Sequence, residues 1–187
     1  MPRRIGIALA LLMISATGFA QNSGNVFVGY SYNRASTGWS ETGNLNGWDA
    51  SVEGKIARYV GLVADVGTQY GTLPLSTEHL TQQPGFVDST TRVESVLFGP
   101  RLSLSKGKFE PFVQGLVGAA HLHESVQAPS PEFHYGETSL TDAIGGGLDY
   151  HLRPKLAWRL QGDVLQTRFH GGRQDDARIS TGLALHF

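Results

Sequence analysis

The segment Ala177–Phe187 reads ARISTGLALHF, and its alternate residues differ in polarity. One set is almost wholly apolar and consists of Ala177, Ile179, Thr181, Leu183, Leu185 and Phe187. The other set is small or polar and consists of Arg178, Ser180, Gly182, Ala184 and His186. Such alternation is typical of a β-strand whose two faces meet different surroundings. The fold then depends on which of the two faces points inward.

The composition favours a single β-rich domain. The chain has 187 residues, a length that suits one domain with a sizeable core. Its 24 glycines argue against a mostly helical protein, and its charged fraction of 17% is low beside the usual value of about 25%. Without cysteine the chain has no disulfide framework and no thiolate zinc site. The net charge of −1 gives no reason to expect nucleic acid as a partner.

The first twenty residues have the pattern of an export signal. Arg3 and Arg4 precede the apolar run Ile5–Ile14, which is too short to cross a bilayer as a helix. The small residues Gly18 and Ala20 then suit cleavage before Gln21. We therefore expect residues 1–20 to be a cleavable secretory signal peptide and residues 21–187 to be the mature domain.

Period-two alternation recurs in eight segments of about ten residues, the length that a tilted strand needs to cross a bilayer. They lie near Asn25–Asn33, Asn46–Ile56, Val60–Tyr70, Arg92–Leu104, Glu110–Leu122, Leu140–His151, Ala157–Thr167 and Ala177–Phe187. The connections after the second, fourth and sixth segments are short. The other four connections are longer and span about Arg34–Leu45, Gly71–Thr91, His123–Ser139 and Arg168–Asp175. Regular alternation of long and short connections predicts an up-and-down barrel with two different rims.

Three features indicate that the apolar face points outward. The polar face is rich in small residues and compact ion-pairing groups rather than in lysine, unlike a soluble surface. An eight-stranded barrel has a narrow interior that large apolar side chains would overfill. Aromatic residues also gather near strand ends, as interfacial girdles do. Tyr59, Tyr150, Trp158 and Phe187 lie near the rim of short turns, and Tyr30, Tyr32 and Tyr70 lie near the other rim.

The predicted fold is therefore all-β: an eight-stranded antiparallel up-and-down transmembrane β-barrel. A soluble lipocalin-like barrel, with its apolar face inside, is the alternative.

The segments NVFVGYSYNR, LFGPRLS and GGGLDYHL, with the terminal phenylalanine, resemble strands of small outer-membrane β-barrels of the OmpA-type or opacity-protein-like superfamily. This resemblance covers about residues 21–187. It implies location in the cell outer membrane, with outer-membrane lipid and the barrel assembly machinery as partners. It also implies that the last strand carries the assembly signal, here the residues Ile179, Leu183, Leu185 and Phe187.

The polar face carries acids and bases in comparable number. We predict a luminal charge network of Asp49, Glu53, Lys55, Asp65, Arg101, Asp149, Arg159, Asp163 and Arg178. Buried charges must be paired, and a neutralised network inside the barrel would pair them. In eight strands this network is expected to plug the lumen, although a narrow porin-like channel with a salt-bridge gate is the alternative.

The sharpest local cluster is His121, His123, Glu124 and Ser125. His-x-His on a strand places both imidazoles on one face, which suits a metal, and Ser with His and Glu suits nucleophilic catalysis. Members of a catalytic triad must converge in space, however, and adjacent residues usually do not. We interpret the cluster as polar rim and loop residues, so no enzyme activity, cofactor or metal is expected.

The function expected from these features is a structural, adhesive or surface-recognition role in the outer membrane. The long loops, which contain Trp39, Pro84, Phe86, Pro129 and Phe133, are the expected site for an extracellular ligand. A lipid-modifying enzyme at the membrane rim is the alternative. The run Gly145–Gly147 lies within a predicted strand and indicates close packing rather than nucleotide binding.

Overall fold

The structure is a computed structural model that describes residues 23–35, 43–76, 86–126, 133–169 and 172–187. The predicted signal peptide lies outside these residues, as do Trp39, Pro84 and Pro129 of the predicted loops.

Eight strands form one closed antiparallel barrel in which each strand pairs with its neighbours in sequence, as predicted. The strands are β1 (Gly24–Ala35), β2 (Gly43–Ala57), β3 (Val60–Ser76), β4 (Phe86–Ser103), β5 (Phe109–Val126), β6 (Phe133–Arg153), β7 (Leu156–Thr167) and β8 (Gln174–His186). We call the end that bears the turns 58–59, 104–108 and 154–155 the short-turn rim, and the opposite end the long-loop rim.

No helix in the described part of the chain is long and apolar enough to cross a membrane.

Pairing of β1 with β8 closes the barrel, and Val28 lies opposite Leu183 in this pair. At the short-turn rim the backbone N–H of Gly24 donates to the carbonyl of Phe187 over 3.2 Å, and the N–H of Phe187 donates back over 3.0 Å. The closed sheet has no free edge, which satisfies the backbone without solvent.

The two faces of each strand point as the alternation predicts. Apolar side chains cover the outside of the barrel, where Ile144 is 72% exposed and Val164 is 50% exposed. Polar residues of the alternate set, such as Arg178 and Ser180, are buried in the interior. The polar interior excludes the lipocalin-like alternative, because a lipocalin-like barrel keeps its apolar face inside.

The strands are longer than predicted at the long-loop rim. For example, β6 begins at Phe133 rather than near Leu140, and β3 continues to Ser76 rather than ending at Tyr70. Phe86 and Phe133, predicted in loops, are the first residues of β4 and β6. The alternation that identifies a membrane strand fades where a strand leaves the bilayer, because both faces then meet polar surroundings. Sequence periodicity therefore detects only the spanning part of each strand.

The interior also holds more apolar volume than the small and polar residues of the inner face suggest. Leu97, which breaks the alternation of the fourth segment, is buried inside with Val63, Leu116, Ala143 and Leu165. These apolar side chains fill the spaces that the ion-paired groups leave between them.

Glycine makes room for this interior at Gly145. It lies between Gln114 of β5 and Asp163 of β7 in the sheet. A Cβ atom at Gly145 would lie 2.1 Å from Oδ1 of Asp163 and 2.4 Å from the carbonyl oxygen of Gly162. The absent side chain lets Nε2 of Gln114 donate to Oδ1 of Asp163 over 2.8 Å. Close packing, rather than a ligand, explains the glycine here.

The outward position of Val164 allows a test of which face of the barrel meets lipid. Val164→Arg should lower the free energy of unfolding in lipid by about 2–4 kcal/mol, because it places a cation in the hydrocarbon region. Urea titration of the barrel in phospholipid vesicles measures the change, with Val164→Leu as the control of retained stability. Equal stability of the arginine and leucine variants would show that this face does not meet lipid.

Candidate functional site

The centre of the lumen is an arginine held by three aspartates. Arg178 of β8 lies with Nη1 3.0 Å from Oδ1 of Asp65 and with Nη2 2.9 Å from Oδ2 of Asp163. Oδ1 of Asp49 lies 3.8 Å from Nη1, and all four side chains are fully buried. Ser180 donates to Oδ2 of Asp49 over 2.7 Å. Arg178 thus ties β8 to β2, β3 and β7 across the interior.

Two further arginines lie closer to the short-turn rim. Arg101 of β4 donates from Nη1 to Oε2 of Glu53 over 3.1 Å. Arg159 of β7 donates two hydrogen bonds to Asp149 of β6, from Nε to Oδ1 over 2.6 Å and from Nη2 to Oδ2 over 2.7 Å. Asn25 joins the two pairs, because it donates to Glu53 over 2.8 Å and accepts from Arg159 over 3.0 Å.

Gln114 connects the arginine clusters to each other. Its Oε1 accepts hydrogen bonds from Nε and Nη2 of Arg101 over 3.0 Å and 2.7 Å, while its Nε2 donates to Asp163. The ring of Phe112 lies between two guanidinium groups, 4.2 Å from that of Arg101 and 4.9 Å from that of Arg159. Such cation–π contacts help to offset the repulsion between the two buried cations.

The structure thus places all nine residues of the predicted charge network on the inner face and brings them together. Lys55 lies at the short-turn end, 3.4 Å from Glu53 and 3.1 Å from Glu110. The predicted network omits the neutral residues that connect the charges, Asn25, Phe112, Gln114, Gln161 and Ser180. The alternation places Gln114, Gln161 and Ser180 on the polar faces of their strands, and Asn25 and Phe112 share the parity of Asn33 and Gln114.

Each end of the lumen has a different character. Toward the long-loop rim the interior holds a buried apolar cluster of Ala35, Leu45, Val93, Ala120, Leu122 and Phe169. Toward the short-turn rim lies an open cavity of about 820 Å³, lined in part by Lys55, Glu110 and His186. The charged centre therefore has apolar side chains on one side and an open cavity on the other.

The residues assigned to the aromatic girdles point outward. Tyr30, Tyr59, Tyr70 and Trp158 are exposed, and Tyr32 and Tyr150 are partly exposed. The hydroxyl of Tyr32 donates to Asn44 over 2.7 Å, and that of Tyr30 donates to Asn46. A ring in the apolar zone with its hydroxyl bonded to a polar residue above it suits a membrane interface.

The cluster at His121 is divided between the two faces of β5. His121 and His123 point outward with ring centroids 4.2 Å apart, whereas Glu124 is buried inside. Nδ1 of His121 lies 2.7 Å from Oγ1 of Thr138. Because Glu124 faces away from both histidines, these residues do not form a Ser–His–Glu arrangement. His121 lies on the predicted fifth strand, and β5 continues through His123, Glu124 and Ser125, which were predicted in the connection that follows it.

The residues assigned to the assembly signal all lie on the outer face of the last strand or at its end. Ile179, Leu183, Leu185 and Phe187 are exposed to the surroundings of the barrel. They form an apolar strip along β8, interrupted by Thr181, next to the seam with β1.

Arg178 provides a test of the luminal network. Arg178→Ala should lower the free energy of unfolding by about 3–5 kcal/mol, because three buried carboxylates lose their shared cation. Urea titration in lipid measures the loss. Arg173→Ala is the matched control, because the exposed Arg173 lies 3.5 Å from Asp175 and such a pair contributes less than about 1 kcal/mol. Equal losses of unfolding free energy in the two variants would show that the buried network stabilises the barrel no more than an exposed ion pair does.

Comparison with known proteins rests on structure alone, since no protein-family model and no curated protein matches the sequence. Ail, the attachment invasion locus protein of Yersinia pestis, superposes with a TM-score of 0.65 at 16% identity, covering 89% of this chain and 99% of Ail. Neisserial surface protein A superposes with a TM-score of 0.65 at 11% identity, covering 88% and 97% of the two chains.

OprG, an outer membrane protein from Pseudomonas aeruginosa, superposes with a TM-score of 0.57 at 10% identity, covering 89% of this chain and 96% of OprG. Sequence identities this low indicate a shared fold but not a shared function. Together with the apolar outer band and the polar interior, they identify the chain as an eight-stranded barrel with the fold of small outer-membrane proteins of the OmpA and opacity-like type.

Proposed function

We propose that this protein is an integral outer-membrane barrel that conducts no ions and acts through its surface at the long-loop rim. The observation that carries the proposal is the filled lumen: the side chain of Arg178 has no accessible surface, and its three carboxylate partners have none. A transported ion would have to break this centre and then pass the apolar cluster above it. Both steps are costly in a dry interior.

The membrane orientation belongs to the same proposal. Short turns face the periplasm and long connections face the outside in barrels of this kind. Strands β3 to β6 have 17 to 21 residues, whereas β1 and β7 have 12. At about 3.3 Å per residue, the longer strands rise beyond the hydrocarbon zone as a wall on one side. The wall places strand residues of the long-loop rim where a ligand outside the membrane can reach them.

A polar patch lies on the outer face of this wall. We call it the rim patch and define it as Arg92, Glu94, His121, His123 and Thr138. Arg92 contacts Glu94, and its guanidinium lies 5.3 Å from the ring centroid of Tyr70. Nε2 of His123 lies 3.9 Å from Glu94. The patch thus begins at the level of Tyr70, in the aromatic girdle of the long-loop rim, where a ligand outside the hydrocarbon can reach it.

The apolar strip of β8 supports a role in assembly. We propose that Ile179, Leu183, Leu185 and Phe187 are the assembly signal that the barrel assembly machinery reads. The strip lies beside the seam where β1 meets β8, so recognition of β8 would occur at the place where the sheet closes. Geometry does not favour the lipid-modifying alternative, since Glu124 and His123 lie on opposite faces of β5.

Ion conduction tests the closed lumen. The purified barrel in planar bilayers should show no steady unitary current in molar KCl, because the arginine–aspartate centre and the apolar cluster block the path. A bacterial porin in the same bilayers is the control of sensitivity. A reproducible single-channel conductance from the wild-type barrel would favour the narrow channel instead.

Ligand binding tests the surface role. Ail of Yersinia pestis has been solved in complex with the heparin analogue sucrose octasulfate, so heparin is the first probe. The folded barrel should bind immobilised heparin at low salt, and Arg92→Ala should weaken this binding several-fold. Lys106→Ala removes the same charge at the short-turn rim and should leave binding unchanged. Absent binding, or equal loss in both variants, would contradict recognition at the rim patch.

A further inference from the structure

Three side chains that could bind a metal converge at the short-turn end of the lumen, away from the arginine–aspartate centre. Glu110 comes from β5, His151 from β6 and His186 from β8. One ligand atom from each residue lies within 4.8 Å of the other two. Among the described residues this is the one group of three or more histidine and acidic side chains with such proximity. The closed barrel creates the group, because strands far apart in sequence share one interior.

Glu110 presents one carboxylate oxygen to the histidines. Its Oε2 lies 3.3 Å from Nε2 of His151. Its other oxygen, Oε1, is held by Nζ of Lys55 over 3.1 Å. Lys55 therefore fixes the carboxylate and neutralises part of its charge, while Oε2 remains directed at the histidine pair.

His186 has a nitrogen without a hydrogen bond. Its Nε2 is buried and makes no hydrogen bond, although Oδ2 of Asp149 lies 3.4 Å away. Asp149 is itself fixed by Arg159, so it cannot turn freely toward the imidazole. The rings of His151 and His186 lie 4.7 Å apart between centroids, at 51° to each other. Two imidazoles this close repel when both are protonated and suit a shared cation when both are neutral.

The site has an entrance. The cavity of about 820 Å³ at the short-turn rim reaches Glu110 and His186. An ion and its bound water can therefore arrive from solvent without crossing the lumen.

We propose that Glu110, His151 and His186 bind one divalent transition-metal ion, with Zn²⁺ as the best match. Two imidazole nitrogens and one carboxylate oxygen are a ligand set that Zn²⁺ accepts, with water in the fourth position. Ligand atoms at about 2.1 Å from a tetrahedral zinc lie about 3.4 Å from one another, so small side-chain rotations bring the group to binding distance.

The bound ion would join β5, β6 and β8 across the barrel. Because the three ligands come together only in the closed barrel, the ion binds the folded state and not the unfolded chain. Zinc should therefore raise the unfolding temperature of the barrel. This inference does not depend on the proposed surface role, since it concerns the opposite rim.

Calorimetric titration of the metal-free, detergent-folded barrel with ZnCl₂ at pH 7.5 tests the site. We expect one ion per barrel. His151→Ala and His186→Ala should each weaken binding by at least about tenfold, and Glu110→Gln should weaken it with little change in shape. The double variant His121→Ala/His123→Ala is the matched control, because it removes the histidine pair on the outer face at the other rim, and it should bind zinc as the wild type does.

Heat-dependent gel mobility establishes that each variant is folded. A measurement on the wild-type barrel needs no variant: Co²⁺ should give the intense visible bands of a four-coordinate ion, and Zn²⁺ should abolish them. Absence of these bands, absence of zinc binding by the wild type, or undiminished binding in folded His151→Ala and His186→Ala would overturn the proposal. Loss of binding in the His121→Ala/His123→Ala variant alone would assign the metal to the outer face and would equally overturn it.

Discussion

The absence of hydrogen-bond partners in hydrocarbon governs this structure. A sheet in lipid must pair every strand on both sides, and only closure of the first strand on the last achieves this. Here the β1–β8 pair completes the ring, with reciprocal hydrogen bonds between Gly24 and Phe187. Once the sheet is closed, one face of each strand meets lipid and the other meets the interior. The alternation of apolar and polar residues in Ala177–Phe187 reflects these two environments.

The number of strands then decides what the interior can be. Eight strands leave space for side chains alone, and the side chains that fill it here are polar and charged. Arg101, Arg159 and Arg178 are each matched to carboxylates, and Gln114 connects their clusters. The interior is so tightly filled beside Gly145 that a methyl group there would collide with Asp163. The network that fills the interior thus also ties the strands of the barrel together.

Sequence alone predicts the features that have a local signature. Strand number, pairing order, facing and the inward position of the charged residues all follow from period-two alternation and from loop lengths. The extent of β3 and β6 does not, because alternation fades beyond the bilayer. The sequence does not predict the inward position of Leu97 for a different reason, since an apolar residue is compatible with either face. The convergence of Glu110, His151 and His186 has no sequence signature, since it depends on which strands face one another across a closed ring.

The seam between β1 and β8 also has a consequence for how the chain is made. Ribosomes release β1 first and β8 last, so the partner of the first strand does not exist until nearly all of the chain has been synthesised. Every earlier stage has two unpaired strand borders and an unsatisfied apolar surface, the state in which sheets aggregate. The pairing that completes the ring also spans the largest separation along the chain, which makes it slow. Closure of the ring therefore removes both unpaired borders in one late step of folding.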